Sequence, residues 1–259
     1  METSKSNIKK GDIYQLGDHY LGCGSSTDVE FVAKVVEAAG ASKKVSMVLT
    51  DPPYGVAYVE GKKFLKQSEN HKEHKIIDND HIQSEEQYTQ FTVAWIDAIK
   101  EHLSQYNAIY IFGADNMLRA MRNGMDYSNC FYSQMLIWIK NTVVPGRKDY
   151  LPMHEIIVYG WYGKHKMKRS KAKSVLFANK PSRAALHPTM KPVELLRKII
   201  PNSAKVGEFV YDAFGGSGST LIACEHMKRR AILVELDPEY VATIIRRWET
   251  LTGERAKRL

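Results

Sequence analysis

Cysteine is scarce in this chain. Cys23, Cys130 and Cys224 are the only three in 259 residues, odd in number and widely separated. They supply neither a disulfide framework nor the close thiol pairs of a zinc site, so reduced thiols are expected. Long apolar runs are lacking as well, and Met1-Glu2-Thr3-Ser4-Lys5 leads into polar sequence rather than a signal core. A cytoplasmic location with no membrane association is therefore the expectation. Neither an internal repeat nor a Pro/Gly/Ser-rich linker interrupts the chain, which predicts one continuous domain over residues 1–259. His71, His74 and His81 have no matched cysteine or carboxylate pattern beside them, so no metal site is expected.

What is present is an ordinary globular composition, 44% hydrophobic and 25% charged. The formal net charge of +8 and a pI near 9.2 point to a polyanionic partner rather than an acidic one. The apolar pattern predicts an α/β alternation. A hairpin is expected at 13–23 around Gly17-Asp18, then a helix through Phe31, Val32, Val35 and Val36 that stops at Gly40. A buried strand runs to Asp51, and a helix opens at Ser84-Glu85-Glu86-Gln87 with Tyr88, Phe91, Trp95 and Ile99 on its apolar face. Strands follow at 108–113, 131–139, 156–160, 209–214 and 231–235, and helices at 115–125, 193–200, 221–227 and 239–251. Between them, residues 55–83 have little periodicity and predict a long mobile loop, the candidate for a lid or flap.

Two stretches carry chemistry. Asp51-Pro52-Pro53-Tyr54 leaves the end of the strand Val45-Ser46-Met47-Val48-Leu49. An ionised Asp only accepts hydrogen bonds, two prolines remove two backbone donors, and Tyr54 adds a flat aromatic face. Acceptors beside an aromatic platform suit a planar group bearing an NH2, such as the amino edge of a nucleobase. The second stretch is a strand entering Gly215-Gly216-Ser217-Gly218-Ser219-Thr220, then a helix and a strand ending at Glu235. Glycines admit a ligand close to the backbone, the helix start presents free N–H groups, and Glu235 can hold ribose hydroxyls. No third glycine stands at the dinucleotide spacing and no Gly-Lys-Ser/Thr follows, so a nucleoside without a polyphosphate fits better, and S-adenosylmethionine is one.

Thr50-Asp51-Pro52-Pro53-Tyr54, His187-Pro188-Thr189-Met190-Lys191-Pro192, Asp212-Ala213-Phe214-Gly215-Gly216-Ser217-Gly218-Ser219-Thr220 and Glu235-Leu236-Asp237-Pro238-Glu239-Tyr240, in that order, resemble the β class of amino-methylating DNA methyltransferases. The resemblance spans roughly residues 11–255. It implies a circularly permuted, Rossmann-like, S-adenosylmethionine-dependent methyltransferase fold: a seven-stranded, mostly parallel sheet with one antiparallel strand and helices on both faces. It implies that Asp51, Pro52, Pro53 and Tyr54 are catalytic. Asp212, Phe214, Gly216, Ser217, Gly218, Ser219 and Thr220 would bind the methionine portion and back the adenine, and Glu235 the ribose. His187, Thr189 and Lys191 would close over the methionine carboxylate, and Asp51 would also border the cofactor. Relatives often carry Asp where this chain has Ser25, with Asp28 as a nearby substitute.

The expected reaction is direct methyl transfer to adenine N6 of a flipped base in double-stranded DNA. The first residue of the tetrapeptide favours adenine over the alternative, cytosine N4, because Ser stands there in many cytosine enzymes of the class. A methyltransferase acting on RNA or protein amides, and a DNA-binding module without turnover, are further alternatives. Recognition is expected from Gly55–Gln83, Asn141–Pro152 and Gly163–Arg183, the last within a small inserted target-recognition region at about 163–186. Arg147, Lys148, Lys164, Lys166, Lys168, Arg169 and Lys171 are the candidate DNA-binding cations. A homodimer and a cognate restriction endonuclease are candidate partners by the same resemblance.

Overall fold

Which side of each strand its apolar residues face decides the architecture. The computed structural model describes residues 7–53, 84–143, 149–168, 172–179 and 190–259. Within these, β1 (Ile13–Leu16) and β2 (His19–Cys23) form the expected hairpin, followed by α1 (Val29–Ala38) and β3 (Val45–Thr50). Next come α2 (Glu85–Lys100), β4 (Leu103–Gly113), a short 3-10 turn (Asp115–Met117), α3 (Leu118–Tyr127), β5 (Cys130–Ile139), β6 (His154–Tyr162) and β7 (Val175–Phe177). The chain continues through α4 (Val193–Ile199), β8 (Phe209–Asp212), α5 (Ser219–Met227), β9 (Arg230–Glu235), α6 (Pro238–Thr252) and β10 (Lys257–Arg258).

All six residues of β3 are buried, the pattern of a strand covered on both faces. Met47, Leu49, Tyr110, Phe112 and Leu233 pack toward Leu195, Ile199, Leu221, Ile244 and Trp248 of α4, α5 and α6. Val48, Ile109, Ile111, Ile232 and Val234 pack the other way, against Val32, Val35, Trp95, Ile99 and Met121 of α1, α2 and α3. Alternation along each strand thus builds two cores on one sheet, each large side chain contributing about 1.5–3 kcal/mol. Local signals place the helix starts. Asp28 caps α1 by accepting from the Phe31 N–H at 3.0 Å. Ser84 and Gln87 cap α2 reciprocally, so the first turn is satisfied without help from the rest of the fold.

The strand order is β10-β1-β2-β9-β8-β3-β4-β6-β5-β7. The stretch β2-β9-β8-β3-β4-β6-β5 is the expected seven-stranded arrangement, with β6 antiparallel to both β4 and β5. The sheet is nevertheless wider than seven. β1 and β10 extend one edge and β7 the other, giving ten strands among the described residues. Hairpin closure accounts for β1, and the last residues add to it through pairs such as Tyr14 with Arg258. Strand β8 stops at Asp212, two residues sooner than expected, because Ala213 and Phe214 already turn into the glycine stretch. Strand β4 begins earlier than expected, at Leu103.

Two strands from distant parts of the chain, β3 and β8, meet in the centre. The chain leaves β8 through α5 toward β9 on one side, and leaves β3 through α2 toward β4 on the other. A crevice opens where connections diverge in this way, at the carboxyl ends of the strands. Among the described residues, no helix is long and apolar enough to cross a membrane.

Candidate active site

The two central strands are latched together at the crevice. Thr50, the last residue of β3, donates its hydroxyl to Asp212 Oδ1 at 2.8 Å and accepts from the Ala213 N–H at 3.1 Å. Thr220, at the start of α5, donates to Asp212 Oδ2 at 2.6 Å, and the Phe214 N–H reaches Oδ1 at 3.1 Å. These hydrogen-bond donors to the carboxyl group are all neutral. Burial, opposed only in part by those hydrogen bonds, pushes Asp212 up to about 7. Asp212 therefore holds the turn in shape besides bordering the crevice.

The glycine stretch wraps from β8 to α5. Gly216 and Gly218 have positive φ, +51° and +77°, which a side chain adopts only under strain. A Cβ on Gly218 would also stand 3.0 Å from Ile244 Cγ2 of α6. Glu235, at the end of β9, accepts from the Gly216 N–H at 2.6 Å and the Asp237 N–H at 2.9 Å. Burial pushes this carboxyl group, too, up to about 7. Arg247 of α6 secures the turn from behind, donating to the Ser217 carbonyl at 2.9 Å, with burial lowering its pKa. The Phe214 ring is half-buried, with Phe91 and Trp95 of α2 at 5.6 and 6.0 Å between ring centroids. Phe91, expected only as helix core, thus braces an aromatic residue at the crevice.

Across the crevice, Asp51 follows β3 directly. Its carboxylate pairs with the ammonium of Lys191, which also lies 3.3 Å from Glu155 Oε2 of β6. The other Glu155 oxygen is 2.7 Å from Lys140 at the end of β5. Desolvation works against the charge on buried Lys191, but the Asp51 and Glu155 carboxylates outweigh it and hold its pKa above the ordinary value. The family resemblance sets Lys191 over a cofactor carboxylate; here its ammonium is engaged by two carboxylates of the protein. Pro52 is buried and Pro53 half-buried beside Asp51.

A family model described as DNA methylase, of the N6/N4 group, matches residues 45–246. The chain belongs to the DNA methylase family. It is 23% identical to the type II methyltransferase M.HpaI of Haemophilus parainfluenzae over 226 residues, 76% of this chain and 66% of that protein, a little under two thirds of its length. It is 24% identical to M2.DpnII of Streptococcus pneumoniae over 230 residues, 80% of this chain and 83% of that protein. Among solved structures, TTHA0409 of Thermus thermophilus, complexed with S-adenosyl-L-methionine, superimposes with a TM-score of 0.66 at 18% identity, covering 92% of this chain and 96% of the other. The cytosine-N4-specific PvuII DNA methyltransferase does so with a TM-score of 0.68 at 16% identity, covering 92% and 88%. At such identities the structures establish the shared fold.

In this DNA methylase the fold brings Asp51, Asp212, Phe214, the 215–220 turn, Glu235 and Lys191 to one crevice. Ser217 and Ser219 are buried in the turn, their hydroxyls 3.3 Å apart. Tyr54, His187 and Thr189 lie outside the described residues, as do Arg147, Lys148, Arg169 and Lys171 and the expected loop at 55–83. Ser25 hydrogen-bonds Thr27 at 2.8 Å, and Asp28 is occupied as the α1 cap. The basic run is split by topology. Lys164 bridges to Tyr106 near the start of β4, and Lys168 stands 3.7 Å from Glu208, just before β8. Both places are at the amino ends of the parallel strands, and Tyr106 to Gly113 spans about 23 Å of extended chain. The fold thus carries Lys164, Lys166 and Lys168 to the far end of the sheet from Asp51. Sequence reasoning missed Thr50 as a latch, Arg247 as a brace, and Glu155 and Lys140 altogether. The one signal for the last two was a charged residue at the end of an otherwise apolar strand.

Proposed function

We propose that this chain transfers a methyl group to the exocyclic N6 of adenine in double-stranded DNA. The observation that carries the reading is the Asp51 carboxylate at the topological switch point, across one crevice from Asp212, Glu235 and the glycine turn. S-adenosylmethionine is the methyl donor, and its chemistry suits these residues: acidic groups and backbone N–H groups for a nucleoside, with negative charge facing a cation. When bound it supplies an electrophilic methyl group on a sulfonium. The turn at 215–220, Glu235 and Phe214 would hold the nucleoside, and the ionised forms of Asp212 and Asp51 would favour the cationic centre.

The target amino nitrogen is a poor nucleophile because its lone pair is delocalised into the ring. Asp51, with the Pro52 carbonyl, accepts hydrogen bonds from that amino group, favouring a tetrahedral nitrogen and offsetting the positive charge that develops there. Tyr54 stacks on the base, which must leave the duplex to reach the crevice. Holding the amino nitrogen in place beside the donor site would supply much of the remaining rate without a covalent enzyme intermediate; the donor would leave as its neutral thioether and the methylated nitrogen would shed one proton. Adenine is favoured over cytosine by Asp at position 51. Recognition falls to the connection between β5 and β6, which leaves and re-enters the sheet at the crevice end, together with residues 55–83. The protein works in the cytoplasm, with a second copy of itself or a restriction endonuclease as candidate partners.

The test is to incubate the protein with isotopically labelled S-adenosylmethionine and unmethylated bacterial DNA, digest to nucleosides, and identify the labelled species by mass spectrometry. N6-methyladenine is the expected product. N4-methylcytosine would overturn the choice of base and keep the chemistry, and label in neither would overturn the reading.

A further inference from the structure

Four charged side chains of alternating sign line up across the crevice end of the sheet: Lys140, Glu155, Lys191 and Asp51. They come from the end of β5, from β6, from just before α4 and from the end of β3, and they span the strand order β3-β4-β6-β5. The line passes over β4 without a charged residue there, the Lys191 ammonium standing 5.2 Å above the Phe112 ring. Lys140 and Lys191 are only 5% and 7% exposed, so neither ammonium can exchange its anionic partner for bulk water. Among the described residues, the charged groups facing Lys191 are Asp51 and Glu155, with Asp212 behind the first and Lys140 behind the second.

This arrangement puts a demand on the reaction. Lys191 holds Asp51 through Oδ2, and while it does so its positive charge weakens that carboxylate as an acceptor for a target amino group. Lys191 cannot release it unless another anion takes its charge, and a stranded ammonium would oppose the positive charge growing on the nitrogen. Among the described residues, Glu155 is the second anion in reach, its Oε2 3.3 Å from the ammonium. We propose that Glu155 is a positioning residue for methyl transfer: it takes over the Lys191 ammonium as Asp51 turns to the target amino group. Lys191 keeps its proton throughout, and Glu155 makes and breaks no covalent bond. Lys140 pairs with the other Glu155 oxygen and holds that side chain turned toward the line. The inference rests on Asp51 acting as the amino-group acceptor, as proposed above.

Glu155→Gln keeps the shape and removes the charge. Its kcat at pH 7 is expected to fall by about ten- to a hundredfold, while the S-adenosylmethionine Kd measured by calorimetry stays within about threefold of wild type. The deficit should shrink as pH is raised toward about 10, because Lys191 without Glu155 loses its proton more readily and the neutral amine no longer opposes the reaction. Glu155→Asp should recover much of the rate. The double variant Lys140→Met/Glu155→Gln leaves no stranded Lys140, so it should regain thermal stability while keeping both the kcat deficit and its relief at high pH. A wild-type kcat in Glu155→Gln, a deficit that does not change with pH, or a double variant restored to full activity would each overturn the proposal, the last because Glu155 would then serve only Lys140. These results are read against a wild type that transfers methyl groups; a wild type that transfers none overturns the functional reading and this inference with it.

Discussion

The two sides of the crevice solve the same physical problem differently. On the side formed by β8, β9 and the glycine turn, the buried carboxyl groups of Asp212 and Glu235 are satisfied by hydroxyls and backbone N–H groups, and burial pushes both up to about 7. On the side formed by the end of β3 with β6 and β5, half-buried carboxylates face buried ammonium groups, so charge is cancelled by charge. The difference teaches what each side can do. A group balanced near neutrality can respond to an incoming cation by losing a proton. A group locked to a counter-ion stays charged, but must exchange partners in order to act.

The largest break in this comparison comes from Asp51→Ala. It should lower the methyl-transfer rate by about a thousandfold, as loss of a dedicated transition-state partner does, with S-adenosylmethionine binding by calorimetry largely retained. Full activity in that variant would remove the acceptor role. On the other side the same kind of truncation should cost stability. Asp212→Ala leaves the Thr50 and Thr220 hydroxyls and the Phe214 N–H without their acceptor, and should lower the unfolding free energy in urea by about 3 kcal/mol. Gly218→Ala should cost about 1–2 kcal/mol by the same measurement, from the positive φ and the contact with Ile244 together.

A pH titration sharpens the contrast without any mutation. An acid whose folded pKa lies above its unfolded value favours folding while it is protonated. For Asp212 and Glu235 that contribution is complete below their ordinary values of 3.8 and 4.5 and is lost as pH rises through about 7. The ligand-free protein should therefore lose stability from pH 5 to pH 8, and Asp212→Asn and Glu235→Gln should each flatten that slope in thermal unfolding. Affinity for the cationic donor should move the opposite way, strengthening several-fold between about pH 6 and pH 8 as the carboxylates ionise. The smallest expected effect lies far from the crevice. Lys166→Ala should change DNA affinity by less than about twofold in a fluorescence titration, whereas Arg147→Ala, in the connection that leaves the crevice end, should weaken it by about fivefold or more.

What could be read before the structure follows from how local each signal is. Asp51 and its prolines, the 215–220 turn and Glu235 are contiguous stretches at predictable strand ends, so each was legible as a group leaving the carboxyl end of a strand. The α2 capping box and the Gly17-Asp18 hairpin were legible for the same reason. The Lys140–Glu155–Lys191–Asp51 line was not, because its members become neighbours only through the strand order. The position of the basic run was hidden for a related reason. Its charge was plain, but β6 runs antiparallel and carries Lys164 away from the end of the sheet where Asp51 sits.

By itself, the sequence determined the alternation of strands and helices, the two chemical stretches and their order, and with them the family. Periodicity, caps and turn residues act within a few positions of themselves, so they can be read one stretch at a time. Only the tertiary structure decided that Thr50 would bind Asp212, that Lys191 would face two carboxylates, and that half of the basic run would lie far from the crevice. Those outcomes depend on which strands become neighbours and in which direction each runs, and that is settled by the burial of both faces of the sheet at once.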